Sequence, residues 1–199
     1  MSRYRGPRVK ILRRLGSLDG LKQNNNSIRK NSPGQHGKDI TKQKIGPYNL
    51  RLMEKQKLRY NYGVSEKQLL NYVKKARKIK GSTGLQLLQM LEMRLDTVAF
   101  RLGWGSSIAA ARQLVNHGHL LVNDKKVNIP SFICKPGDKL TLKPKLAKNQ
   151  QILSSFVNCP KFLELDQSKQ TGVVKEVVTR EDFTISVDEL LIVEYYSRK

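Results

Sequence analysis

Acidic residues are scarce in this chain: 16 Asp and Glu stand against 38 Lys and Arg, a formal net charge of +22 over 199 residues. A surface that lopsided repels itself unless a polyanion or counterions offset it, and a coat serving solubility alone would mix both signs. Cysteine is nearly absent as well. Cys134 and Cys159 form no CxxC pair, and with His36, His117 and His119 they make none of the spacings that hold zinc. The expectation is no metal and no disulfide, with both cysteines acting as small apolar fillers in a reducing setting. No apolar run approaches the roughly 20 residues of a membrane span. The basic start MSRYRGPRVKILRRLG lacks the apolar core of a secretory signal. GxSxG, a Walker loop, HExxH and paired carboxylates in a plausible cleft are also missing. The sequence therefore predicts no enzyme, no cofactor and no small-molecule substrate.

What is present is unevenly spread. Residues 1–90 carry 22 Lys and Arg against 4 Asp and Glu, whereas residues 91–199 carry 16 against 12. Partners with phosphate backbones fit such an asymmetry, and their binding weakens steeply with salt because each neutralised phosphate releases counterions. Residues 1–47 read as a basic extended arm, broken by Gly6-Pro7, Gly16, Gly20, Pro33-Gly34 and Gly46-Pro47. Its Arg3, Arg5, Arg8, Lys10, Arg13 and Arg14 are expected to order against phosphates rather than around a core of their own.

Beyond the arm the periodicity turns helical. Residues 49–62 suit a helix with Arg51, Lys55 and Arg59 spaced by four, and a second helix over 65–79 starts at Ser65 as its cap. That second helix also carries a basic face of Lys67, Lys74, Lys75, Arg77 and Lys78. After the Gly81–Gly84 turn, a third helix is expected from about Leu85 to Leu102, with Leu88, Leu91, Leu95 and Val98 on its core stripe. A fourth runs from a Ser106 or Ser107 cap through Asn116 and closes at Gly118. From His119 the pattern becomes β: HLLVN and KVNIP about an Asp124-Lys125 turn, KLTLK after Lys135-Pro136-Gly137-Asp138, and two further β-rich runs over 173–187. A last helix starts from Asp188 or Ser186. The class is α+β: the basic arm (1–47), an all-α domain (48–84) completed by the C-terminal helix (188–199), and an inserted α/β region (85–187) whose helices pack on a hairpin sheet.

Within the insertion, MRLDTVAFRLG, ARQLVNHGHLLVN, KVNIP and KPGDKL would set cations and amides along one edge. Arg94, Arg101, Arg112, His117, Lys125 and Lys126 are expected to line a phosphate-bearing groove there, since the planar fork of arginine can hold two phosphate oxygens. Gln113 and Asn116 would add contacts to phosphate or 2′-hydroxyl groups, which suit structured RNA. Duplex DNA is disfavoured, because no helix is basic on a face that would enter a groove. Trp104, between two glycines, reads as the cover of a core edge rather than a stacking platform.

These motifs are recognisable in order. Residues 91–140 closely resemble the S4 RNA-binding domain, the module lying at about 91–145. SRYRGPR (2–8), PGQHG (33–37), EKQKLRYNYGV (54–64), GSTG (81–84) and LIVEYYSR (191–198) resemble the S4 family of small-subunit ribosomal proteins over nearly the whole chain. The resemblance implies direct binding to small-subunit rRNA, early action in subunit assembly, a part in translational accuracy, and ribosomal protein S5 and mRNA near its channel of arrival as neighbours. Carried over, His36 of PGQHG with Lys38, Lys42 and Lys44 would lie near incoming mRNA or rRNA. Two departures stand out. The four amino-terminal cysteines by which many relatives bind zinc are absent, and a common Thr-Arg pair is replaced by Ser107-Ile108, which removes one expected cation. The wording is closest to plastid members. With the match starting at residue 2, the chain is expected to be made inside the organelle and to act in the chloroplast stroma, the bacterial cytoplasm being the alternative.

Overall fold

A computed structural model of the chain describes residues 4–21, 31–37, 46–143, 159–166 and 170–197. They fall into two compact units, residues 1–84 with 185–199 and residues 85–184.

The first unit is helical: α1 (Arg8–Leu15), α2 (Pro47–Asn61), α3 (Glu66–Ala76) and α7 (Glu189–Ser197). Pro47 starts α2 where its missing N–H costs nothing. Ser65 and Gln68 close a reciprocal capping box on α3. Helix α7 packs along α2 and reaches α3, burying Ile192, Tyr195 and Tyr196. The Tyr196 hydroxyl donates to Glu66 Oε1 at 2.9 Å, and the buried Lys55 ammonium donates to Glu66 Oε2 at 2.9 Å. This clasp ties the last helix to segments more than a hundred residues earlier. The expectation of an extended arm over 1–47 is corrected at residues 8–15, which form α1. Ile11 and Leu15 are one helical turn apart and, with Leu18, bury against Met53 and Tyr60. Gly16, at φ 88°, ends the helix rather than preventing it.

The second unit contains α4 (Thr83–Glu92, starting at the boundary), α5 (Leu95–Arg101), α6 (Ile108–Asn116) and a five-stranded antiparallel sheet. Its strands are β1 (Leu120–Val122), β2 (Lys125–Lys126), β3 (Lys139–Leu142), β4 (Leu163–Asp166) and β5 (Thr171–Val174), in the order β2-β1-β3-β5-β4. Leu120, Val122, Leu140, Leu142 and Val174 turn to one face, where α5 and α6 supply Val98, Ala99, Leu102, Ala111 and Val115. Trp104 is fully buried in that core, as its reading as a core residue required. Leu102 approaches the backbone of Gly172 so closely that a Cβ there would lie 2.5 Å from its Cδ1.

Three expectations are revised here. The single helix over Leu85–Leu102 is broken at Met93-Arg94, because an extended segment pairs with that point: Cys134 N–H donates to Met93 O and Leu95 N–H to Phe132 O, both at 2.8 Å. The hairpin turn is Asn123-Asp124, not Asp124-Lys125. Both residues hold positive φ (48° and 63°), which Asn and Asp tolerate. Of the two β runs over 173–187, only the end of β5 is a strand; Arg180–Asp182 form a 3₁₀ turn capped by Thr179.

Candidate nucleic-acid interface

The arginines of the second unit are placed first by carboxylates. Asp96, wholly buried, receives Arg94 Nε and Nη2 at 3.0 and 2.9 Å, Arg112 Nε at 2.8 Å, and the Thr97 N–H at 3.0 Å. Glu92, equally buried, receives Arg101 Nε and Nη2 at 3.1 and 2.7 Å. Arg94 is 1% exposed and Arg101 7%. Their expected place along a phosphate groove is therefore corrected: each fork is closed on a carboxylate inside the core, where a charge is stable only if paired. Arg112 is half-buried and bridges the core to the edge, with Nη2 2.6 Å from Asp96. Charge and spacing alone could not reveal this: only Arg94 is a near neighbour of its acid, whereas Arg101 and Arg112 reach theirs from 9 and 16 residues away.

Several exposed cations of this unit lie at the hairpin side, while Lys161, Lys175 and Arg180 are exposed elsewhere. Gln113, Asn116 and His117 are exposed at the end of α6, and Lys125 and Lys126 are exposed on β2. A Cβ at Gly118 would meet the Lys126 side chain, and its φ of 67° is the left-handed turn that ends α6. His119 stacks edge-on to His117 at 5.7 Å. Its pKa lies below the ordinary imidazole value because partial burial, then His117, Lys143 and Lys126, all disfavour a further positive charge. Lys135 and Lys139, from KPGDKL, and the partly buried Lys143 belong to the same region. Asp138 accepts from Asn123 Nδ2 and from the Lys135 N–H, both at 2.8 Å, and Asn123 Oδ1 accepts from the Lys139 N–H at 2.9 Å. That network holds the two turns side by side and brings Lys125, Lys135 and Lys139 to one end of the sheet. The register was the missing signal.

In the first unit, Arg5, Arg8, Lys10 and Arg14 are exposed, whereas Arg13 donates through Nε and Nη2 to the Asn31 carbonyl at 2.8 and 2.6 Å. Arg51 pairs with Glu194, and Lys55 is 4% exposed, paired with Glu66 and 5.0 Å above the Tyr195 ring. Burial thereby reassigns Lys55 from RNA contact to the joint between α2 and α3, while Arg51 stays partly exposed beside Glu194. Arg59 is half-buried over Tyr60 at 5.1 Å, and His36 is exposed. Arg3, Lys38, Lys42 and Lys44 lie outside the described residues. The basic face of α3 is exposed at Lys67, Lys74, Lys75, Arg77 and Lys78, with Lys80 beyond.

Among the described residues no group of His, Cys, Asp or Glu could hold a metal. Burial, then the Asp138 and Asp96 charges, push the Cys134 thiol up to about 12, so that residue is an inert filler.

Fold and surface define a cationic α+β protein whose exposed basic side chains stand on two separate units. Comparison with known sequences gives the family. Residues 3–92 match the ribosomal protein S4/S9 N-terminal domain, and residues 93–140 match the S4 domain. The chain is 52% identical to small ribosomal subunit protein uS4c of Rosulabryum capillare, 53% identical to uS4 of Thermosynechococcus vestitus and 51% identical to uS4c of Cyanophora paradoxa, in each case over the full length of both chains. The chain belongs to the uS4 family of ribosomal proteins. That family is structural rather than enzymatic, in line with the absence of catalytic motifs.

Proposed function

We propose that this chain is a structural constituent of the small ribosomal subunit that binds small-subunit rRNA directly. The observation that carries the reading is full-length identity of just over one half to small-subunit proteins. It is supported by the exposed cations on the two units, by an S4 domain at residues 93–140, and by a charge of +22 that needs a polyanion. In this reading the contacts are Arg5, Arg8, Lys10 and Arg14 of the first unit and Gln113, Asn116, His117, Lys125 and Lys126 of the second, with the α3 lysines added. Residues 85–187 act as a module inserted into a helical domain that closes only when α7 is present. The protein nucleates subunit assembly, lies near the channel by which mRNA enters, touches ribosomal protein S5 and contributes to accuracy. It works in the chloroplast stroma, the bacterial cytoplasm being the alternative that the cyanobacterial relatives keep open.

Cosedimentation of tagged protein with small subunits, in low salt and after a salt wash that strips loosely held basic proteins, tests the reading. Retention with crosslinks to rRNA is expected. Release of the protein together with other loosely bound chains would contradict it.

A further inference from the structure

Among the described residues, α1 and α2 border a cleft of about 240 Å³. Ile11, Met53 and Tyr60 form apolar and aromatic walls, Gln56 brings an amide, and Lys10 and Arg14 stand along it. Among the described residues no Asp or Glu lines it. Its size exceeds the roughly 150 Å³ in which an apolar cavity takes up benzene. The Tyr60 ring is held in place by Tyr4, edge-on at 5.2 Å, and by the Arg59 guanidinium at 5.1 Å.

We propose that this cleft receives one unstacked nucleobase of an RNA strand, with Lys10 and Arg14 on the flanking phosphates. The inference rests on the reading of the protein as RNA-binding and names a site for it. An aromatic wall beside cations is the arrangement on which single-stranded bases stack, with sequence tolerance because every base has a π face. Two cations at the walls, with no carboxylate among them, favour an anionic strand over an apolar peptide. The curl of α1 against α2 makes the site, since Ile11 and Leu15 set the helix on α2 while Lys10 and Arg14 remain exposed.

The test uses the full chain and fluorescence anisotropy with two labelled probes of equal length, octa-adenylate and an abasic ribose-phosphate octamer. The native protein is expected to bind the adenylate roughly tenfold more tightly, as one base stacked on an aromatic ring gives. Met53→Trp, which fills the cleft, should abolish that preference while leaving abasic binding unchanged. Tyr60→Leu, which keeps the apolar wall but not the ring, should do the same if the tryptophan variant misfolds by circular dichroism. Replacing Lys10 and Arg14 with Ala should weaken both probes alike. No preference for the adenylate, or a preference that survives both cleft variants, overturns the proposal. So does displacement of the adenylate by octaglutamate at equal concentration, which would mark an acidic-peptide site. If small-subunit rRNA is still retained in those cases, the base site alone falls; if rRNA is not bound either, the parent reading falls with it.

Discussion

Replacing Asp96 with Asn should unfold the second unit's core before it affects any RNA contact. Asp96 is fully buried, Arg94 is 1% exposed, and Arg112 reaches the same carboxylate from α6. An asparagine keeps the shape but carries no charge, and its amide nitrogen would face guanidinium donors. Two cations would then share one neutral acceptor in the interior. Removing one partner of a buried ion pair costs about 3–5 kcal/mol, against total stabilities of roughly 5–15 kcal/mol. In a unit of about a hundred residues, each kcal/mol moves the melting temperature by roughly 4–8 °C, so a fall of more than about 10 °C is expected. Urea unfolding of native and D96N protein, followed by far-ultraviolet circular dichroism, gives the difference directly. R112A should cost less, because Arg94 still neutralises Asp96 and the Arg112 side chain is 13% exposed. A loss under about 1 kcal/mol for D96N, with rRNA affinity altered instead, would refute the assignment of these arginines to the core.

Gly172→Ala puts a methyl 2.5 Å from Leu102 Cδ1, and overpacking of this kind should cost roughly 1–3 kcal/mol in the same urea assay. In the native protein a maleimide at pH 8 should label the exposed Cys159 and spare Cys134, whose thiol burial holds at about 12; mass spectrometry reads the site, and labelling of both would contradict the core placement. His119 is depressed from its ordinary value near 6.5, so the unfolded chain takes up the proton first and this group's contribution to stability, fully present above that value, is lost as pH falls from there through the lowered folded value. If the RNA strand at the neighbouring contact His117 also brings a phosphate beside His119, the shift reverses, so rRNA affinity should rise from pH 7.5 to pH 6 with a smaller rise in H119Q; an unchanged slope in that variant would show that no phosphate reaches His119.

Local signals made much of the fold readable. The Ser65 and Ser107 caps, the Gly118 stop and the alternating KLTL strand depend on neighbours within a few residues, and each stands where the sequence puts it. What failed was set by distant contacts. Helix α1 exists because Met53 and Tyr60 cover its apolar side, and the break at Met93-Arg94 exists because residues 132–134 pair with it. The candidate site divides in the same way. Lys125, Lys126, Gln113 and Asn116 lie exposed as their polarity suggests. Arg94, Arg101 and Lys55 carry the same charge but are drawn inward by Asp96, Glu92 and Glu66, and only the tertiary arrangement distinguishes a cation that neutralises a buried acid from one that faces solvent.

If exposed cations of the two units, and not the buried arginines, hold ribosomal RNA, binding must respond to salt through those side chains. Affinity of the full chain for small-subunit rRNA, measured by filter binding from about 50 to 200 mM salt, tests this most directly. The logarithm of the binding constant should fall linearly and steeply with the logarithm of salt. Joint replacement of Lys125, Lys126, Lys135 and Lys139 with Ala should make the slope shallower by close to one for each phosphate left without its lysine. A salt-independent affinity, or a slope untouched by those four changes, would contradict it.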